Sequence, residues 1–207
     1  MNIVSNSVKL IAMTPEPLKL IEYAGRTCYA SRDKITDTSA KAFVQNLLIK
    51  GHTSVLEHAS ATFDIVCDRG VSHELVRHRI ASYSQESTRY VKYDNLKFIQ
   101  PTINEPIPGE VDTWEYAMRR CEMAYKDLMA YRSQEIARSV LPNSLATTVV
   151  MTANFREWRH FLTLRLSKRA HPDMRDIAKR ILKELQDAVA VVFDDFETLI
   201  SETYRCE

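Results

Sequence analysis

Arginine and histidine crowd one short stretch of this chain. Residues 74–90 read Glu-Leu-Val-Arg-His-Arg-Ile-Ala-Ser-Tyr-Ser-Gln-Glu-Ser-Thr-Arg-Tyr, so that Arg77, His78, Arg79 and Arg89 fall within thirteen positions, interleaved with serines and tyrosines. A guanidinium is a flat, permanently charged fork that matches phosphate oxygens, and hydroxyls add neutral hydrogen bonds. A solvated charged face would mix Lys with Glu, and this stretch contains no Lys. The chemistry it favours is the holding of a phosphorylated or otherwise anionic ligand, with an exposed basic turn as the plainer alternative. A second basic run spans residues 154–169, where Arg156 and His160, four apart, share a helical face and Arg165 lies further along. Taken alone, that run also reads as an amphipathic basic helix able to contact RNA or anionic lipid. Arg138, just ahead of Leu141-Pro142, taken alone reads as a helix C-terminal cation. The pair His52 and His58, with Glu57 between, lacks the H-E-x-x-H spacing and an obvious third ligand, so no metal is expected. Ser54 with Glu57 reads instead as a capping box.

These side chains need a scaffold. β-branched content predicts a strand over residues 2–11 and another over 59–67, and residues 147–152 read the same way. Apolar spacing predicts helices over 15–29, 39–49 (stopped by Gly51), 71–80, 111–131 and 133–140. It predicts further helices over 155–166, capped by Asn154, and over 172–200. The serine-rich residues 81–86 are expected to break the basic helix, with a strand following over 87–93. Arg77 and Arg79, two apart on a helix, would then point to opposite sides and serve two ligands, or two parts of a large one. The whole is expected to be α+β, a mixed sheet packed with long helices, in a single domain over residues 1–207.

Composition narrows the function. The 207 residues are 45% apolar and 27% charged, with a formal net charge of +1. That balance argues against a general nucleic-acid binder, which carries a basic excess. No apolar run approaches the roughly 18 residues that span a bilayer, and residues 1–13 lack a secretory pattern, so a cytoplasmic protein with no membrane partner is expected. Cys28, Cys67, Cys121 and Cys206 are dispersed and read as reduced thiols. Only four glycines occur, and none forms a nucleotide-binding glycine loop.

Arg77-His78-Arg79, seven residues, then Ser87 and Arg89 resembles the signature of the flavin-dependent thymidylate synthases. The order of the other pieces is similar too: the 52–58 segment before a strand, Arg138 before Leu-Pro, and Asn154-x-Arg156 opening a helix that carries Arg165. The resemblance covers roughly residues 15 to 190. It implies a homotetramer with active sites at subunit interfaces, FAD as cofactor, and dUMP, methylenetetrahydrofolate and NADPH as substrates. By position, Ser54, Arg77, His78, Arg79, Gln85, Asn154, Arg156 and His160 would contact FAD. Glu74, Arg77, Gln85, Ser87, Thr88, Arg89, Arg138 and Arg165 would hold dUMP. Two positions depart from a similar member of the family, which has Glu where Gln85 stands and Gln where Glu74 stands; His160 takes a place that some relatives give to Asn.

The implied reaction is reductive methylation of dUMP to dTMP. No cysteine lies in a ligand-rich segment, so ring activation by a cysteine nucleophile is not expected. Arg165 is expected to sit against the uracil N3/O2 edge and stabilise negative charge there, raising electron density at C5. Ser87 lacks an adjacent base in sequence and is expected to contact phosphate or backbone. An RNA-binding module stacking Arg and Tyr and a non-catalytic nucleotide-binding regulator are the alternatives of a different class.

Overall fold

The computed structural model describes residues 1–103 and 105–196. Its centre is an antiparallel sheet in the order β2 (Ser7–Met13), β3 (Ser60–Asp68), β6 (Ala146–Asn154), β4 (Ala81–Gln85). Alternation in β3 and β6 builds one face of that sheet: Ala61, Phe63, Ile65 and Cys67 lie opposite Ala153, Met151, Val149 and Thr147, and all eight are buried. Successive strand residues point to opposite faces, so the intervening Thr62 and Thr152 meet on the other side, where their hydroxyls lie 2.9 Å apart.

Helices α1 (Pro17–Cys28), α2 (Ser39–Ile49), α6 (Phe155–Arg165) and α7 (Pro172–Phe193) cover the apolar face. Trp158 of α6 is fully buried, edge-on to Phe63 at 5.0 Å, and donates its indole N–H to the Ala61 carbonyl at 3.0 Å. A smaller cluster joins β5 (Lys97–Ile99) to α4 (Glu110–Met129) and α5 (Gln134–Ala137) through Phe98, Met118, Tyr125 and Ala137.

The α+β expectation holds, with corrections in detail. The single strand expected over 2–11 is two: β1 (Asn2–Val4) pairs in parallel with β5 in a separate two-stranded sheet, and β2 pairs with β3. The basic helix ends early. Asp68 caps α3 (Arg69–Leu75) by accepting from the Val71 N–H at 2.7 Å, and Arg77, His78 and Arg79 follow in a turn. Residues 81–86 are no break, since Ala81, Tyr83 and Gln85 face the core side of edge strand β4 while Ser82 and Ser84 are exposed. The expected strand over 87–93 is a turn instead, closed by Tyr90 and Val91 N–H groups donating to the Ser87 carbonyl. Ser54 does not cap a helix; it opens a 3-10 helix, Ser54–His58, and is exposed. α7 extends to Phe193, and the last residues of its expected span, 197–200, lie outside the described residues, as does Cys206.

Candidate active site

Two clusters of functional side chains form at opposite ends of β4. The first is a cleft of about 660 Å³ where β6 runs into α6. Asn154 is the hinge of that junction: it is the last residue of β6, and its Oδ1 accepts from the Glu157 N–H at 2.9 Å to cap α6. This single cap points Arg156, Glu157, His160 and Arg165 into one space. From the facing side come Arg77, His78, Arg79 and Ile80, and Glu57 completes the wall. The expectation that Arg77 and Arg79 diverge is thus corrected. Off the helix, both line the same cleft.

What bends that turn is Tyr83, whose hydroxyl lies 2.8 Å from both the Leu75 and the His78 carbonyl oxygens. Burial pushes the Tyr83 phenol up to about 12, with Glu157 adding to the effect, so it stays a donor. The hydroxyl thus ties the last carbonyl of α3, which also accepts from the His78 N–H at 3.1 Å, to a carbonyl of the turn that follows.

Within the cleft the ionic partners are specific. Arg165 Nη1 donates to Glu74 Oε2 at 2.7 Å, its Nη2 to the Glu74 carbonyl at 3.1 Å, and its Nε to His78 Nε2 at 3.0 Å. His78 Nδ1 lies 3.2 Å from Glu157 Oε1. Arg156 pairs with Glu57 at 2.5 Å across the mouth. Among the described residues Arg77 and Arg79 make no ion pair, which leaves two forks for an incoming anion. Burial, then the Arg165 and His160 charges, lower the His78 pKa to about 4, so the ring is neutral near pH 7. His78, Glu157 and His160 bring metal-ligand atoms within 4.8 Å of one another, but both His78 nitrogens are already engaged. His52, considered above as a ligand, instead lies 3.1 Å from the Tyr29 hydroxyl.

The second cluster lies beyond the other end of β4. Arg138 Nη1 donates to Thr88 Oγ1 at 3.4 Å, Arg89 pairs with Glu135 at 2.8 Å, and the Arg89 N–H donates to Ser87 Oγ at 3.3 Å. Gln85, expected at both ligands, has its amide nitrogen on Ser72 Oγ at 2.9 Å and Thr147 Oγ1 at 3.3 Å. Register sets the separation. Ala81 opposes Ala153 beside the cleft, and Gln85 opposes Val149 at the far end. Five strand residues span about 13 Å at 3.3 Å per residue, and Arg77 and Arg89 lie outside that span on either side. One chain therefore brings together Glu74, Arg77, His78, Arg79, Asn154, Arg156, His160 and Arg165, and separately Ser87, Thr88, Arg89 and Arg138.

Three side chains of this arrangement went unseen in the sequence. Tyr83 sits between serines in an apparent loop. Glu57 was assigned to a cap. Glu157 stands three residues after a cap, where an acid is commonplace. Cys67 is buried in β3 with its thiol pushed up to about 12 by burial, and no described cysteine lines the cleft.

The size and lining suit a flat anionic cofactor. A volume within the range of ligand pockets, four arginines and the exposed side chains of Ile80 and Leu164 offer charge for phosphates and apolar surface for a ring. The fold is that of a solved pyrimidine-nucleotide methylase: the chain is similar to the UMP/dUMP methylase PolB from Streptomyces cacaoi, solved with 5-Br dUMP, at a TM-score of 0.83 and 25% identity over 96% of this chain and 97% of that one. Residues 9–190 match the family described as thymidylate synthase complementing protein, and the chain belongs to that family. Relatives named flavin-dependent thymidylate synthase include one from Geobacter sulfurreducens, 39% identical over 91% of this chain and 85% of its own length. Another, from Mycolicibacterium vanbaalenii, is 37% identical over 87% of this chain and 80% of its own.

Proposed function

We propose that this protein is a flavin-dependent thymidylate synthase that methylates dUMP to dTMP, taking the carbon from methylenetetrahydrofolate and electrons from NADPH. The observation that carries this reading is Arg165, a partly buried guanidinium held by three hydrogen bonds at the floor of an arginine-lined cleft. A guanidinium has five N–H donors. With three committed, one on Nη1 and one on Nη2 remain for a ligand. Those two donors match O2 and a deprotonated N3 of uracil, both of which accept. Held against it, they stabilise the negative charge that develops as N3 loses its proton, and electron density at C5 rises. No water has to reorganise, because the donors are already oriented.

Arg77, Arg79, Arg156, Asn154 and His160 would hold FAD, which when bound supplies the redox chemistry that side chains lack. Ser87, Thr88, Arg89 and Arg138 would hold the dUMP phosphate. Because the two groups flank β4, a complete site would draw the cleft from one copy and the phosphate cluster from another, which supports sites shared between copies, as in the homotetramer that the family resemblance implies. Glu74 acts as the partner of Arg165 and not as a phosphate ligand. Cysteine plays no nucleophilic part, since burial holds the Cys67 thiol protonated and the cleft offers no other described thiol.

An absorption spectrum tests the reading. The purified protein loaded with FAD should be yellow and should bleach when NADPH is added without oxygen. A protein that neither retains flavin nor binds dUMP would overturn it.

A further inference from the structure

We propose that Glu157 is a positioning residue for Arg165 and acts through His78: its carboxylate fixes the imidazole as the neutral Nδ1–H tautomer, and the bare Nε2 of that ring anchors the Arg165 Nε–H. The inference deepens the function proposed above and rests on the role given there to Arg165.

The direction of every proton in this chain follows from one donor. Arg165 Nε always carries hydrogen, so His78 Nε2, 3.0 Å away, must accept. A neutral ring then has its proton on Nδ1, and Glu157 Oε1 at 3.2 Å is the acceptor. An imidazolium would set N–H against N–H and cation against cation. The surroundings agree. From α6, Glu157, His160 and Arg165 face the ring, and Phe161 packs edge-on at 4.9 Å. From β4, the Tyr83 hydroxyl meets the His78 carbonyl, and Glu74, Arg77 and Arg79 flank it on its own segment.

The placement of Glu157 is itself informative. It is the third residue of α6, where a capping-box acid turns back to the N–H of the capping residue. Here Asn154 makes its half of the box, accepting from the Glu157 N–H, but the Glu157 carboxylate turns inward to His78 and is nearly buried. Burying a carboxylate away from its local partner is unfavourable unless it is hydrogen-bonded. What results is an Arg165 tied on the Nε edge as well as at Glu74, so its two remaining donors cannot swing.

The ring's proton can be seen directly. In protein labelled with ¹⁵N-histidine, the His78 resonances are assigned by their absence in His78→Gln. At pH 7, wild type should show a neutral ring protonated on Nδ1, a result that needs only a folded His78→Gln for assignment and no measurement of activity. Glu157→Ala should free the ring to turn away from Arg165 and so to exchange between tautomers. It should lower kcat for dUMP methylation on the order of 100-fold, the scale of a small misplacement of a reacting group, with KM for dUMP little changed. Glu157→Gln, whose amide oxygen still accepts, should restore the Nδ1–H tautomer and most of kcat. An Nε2–H or charged ring in wild type would overturn the proposal, and so would a folded Glu157→Ala variant with wild-type kcat. A wild-type protein that makes no dTMP would instead refute the function, leaving the ring spectrum to decide the hydrogen-bond chain.

Discussion

Replacing His78 with glutamine removes one titrating group from the cleft while keeping an oxygen that can accept from Arg165. The ring is 5% exposed, and its pKa is lowered from 6.5 to about 4, by burial first and then by the charges of Arg165 and His160. In the unfolded chain it titrates near its ordinary value. As pH falls from 6.5 toward 4, the unfolded state therefore takes up a proton that the native state refuses, and unfolding becomes easier. The stabilisation is fully present above 6.5 and is lost progressively as pH falls toward 4. At 1.36 kcal/mol per pH unit the whole effect is about 3 kcal/mol, of which about 2 kcal/mol disappears between pH 7 and pH 5. Urea unfolding of wild type and His78→Gln at those two pH values measures it. Wild type should lose about 2 kcal/mol more than the variant across the interval. The difference between the two proteins is the quantity to compare, because Asp68 and Glu157, whose pKa values are raised chiefly by burial, contribute with the opposite sign. Equal losses would refute the claim that the cleft holds His78 neutral.

Arg89→Ala should weaken dUMP binding about 10- to 100-fold, the value of a lost charged hydrogen bond, and leave the flavin spectrum intact; titration of dUMP into the flavin-loaded protein measures both. Glu74→Gln keeps an oxygen for Arg165 Nη1 and removes the charge that offsets the guanidinium, so KM for dUMP should fall in steady-state assays. A higher KM would show that Glu74 itself contacts the nucleotide. Asn154→Ala removes the cap at the junction of β6 and α6 and should cost about 1 kcal/mol in denaturant unfolding. It should also loosen FAD binding, because Arg156, His160 and Arg165 all take their direction from that turn.

Where the sequence misleads, tertiary contacts are the reason. α2 runs over Ser39–Ile49 as its spacing predicts, and Asn154 caps α6 as expected, because both signals are local. The end of α3 is not local. Nothing in Val76-Arg77-His78 stops a helix, and the turn is held by a hydroxyl from Tyr83, itself placed by pairing of β4 with β6. β4 is hard to read because its outward residues are small serines and it is short, as edge strands often are. The split between β1 and β2 is hidden because β-branched residues continue on both sides of it while the two pieces choose different partners. The site was legible as a set of residue types. Its division into a flavin group and a phosphate group came from the family resemblance; how far apart the two groups lie was not legible, because only the register of β4 on β6 places Arg77 and Arg89 at opposite ends of one strand.

The central claim is that Arg165, not a thiol, activates the pyrimidine. Its most direct test is the rate of dTMP formation from dUMP, methylenetetrahydrofolate and NADPH by flavin-loaded wild type and Arg165→Ala, with FAD occupancy matched. The expected result is turnover by wild type and a fall of about 100- to 1,000-fold in the variant, the scale for removing one preorganised donor group. Methyl transfer by Arg165→Ala at a rate near that of wild type would contradict it.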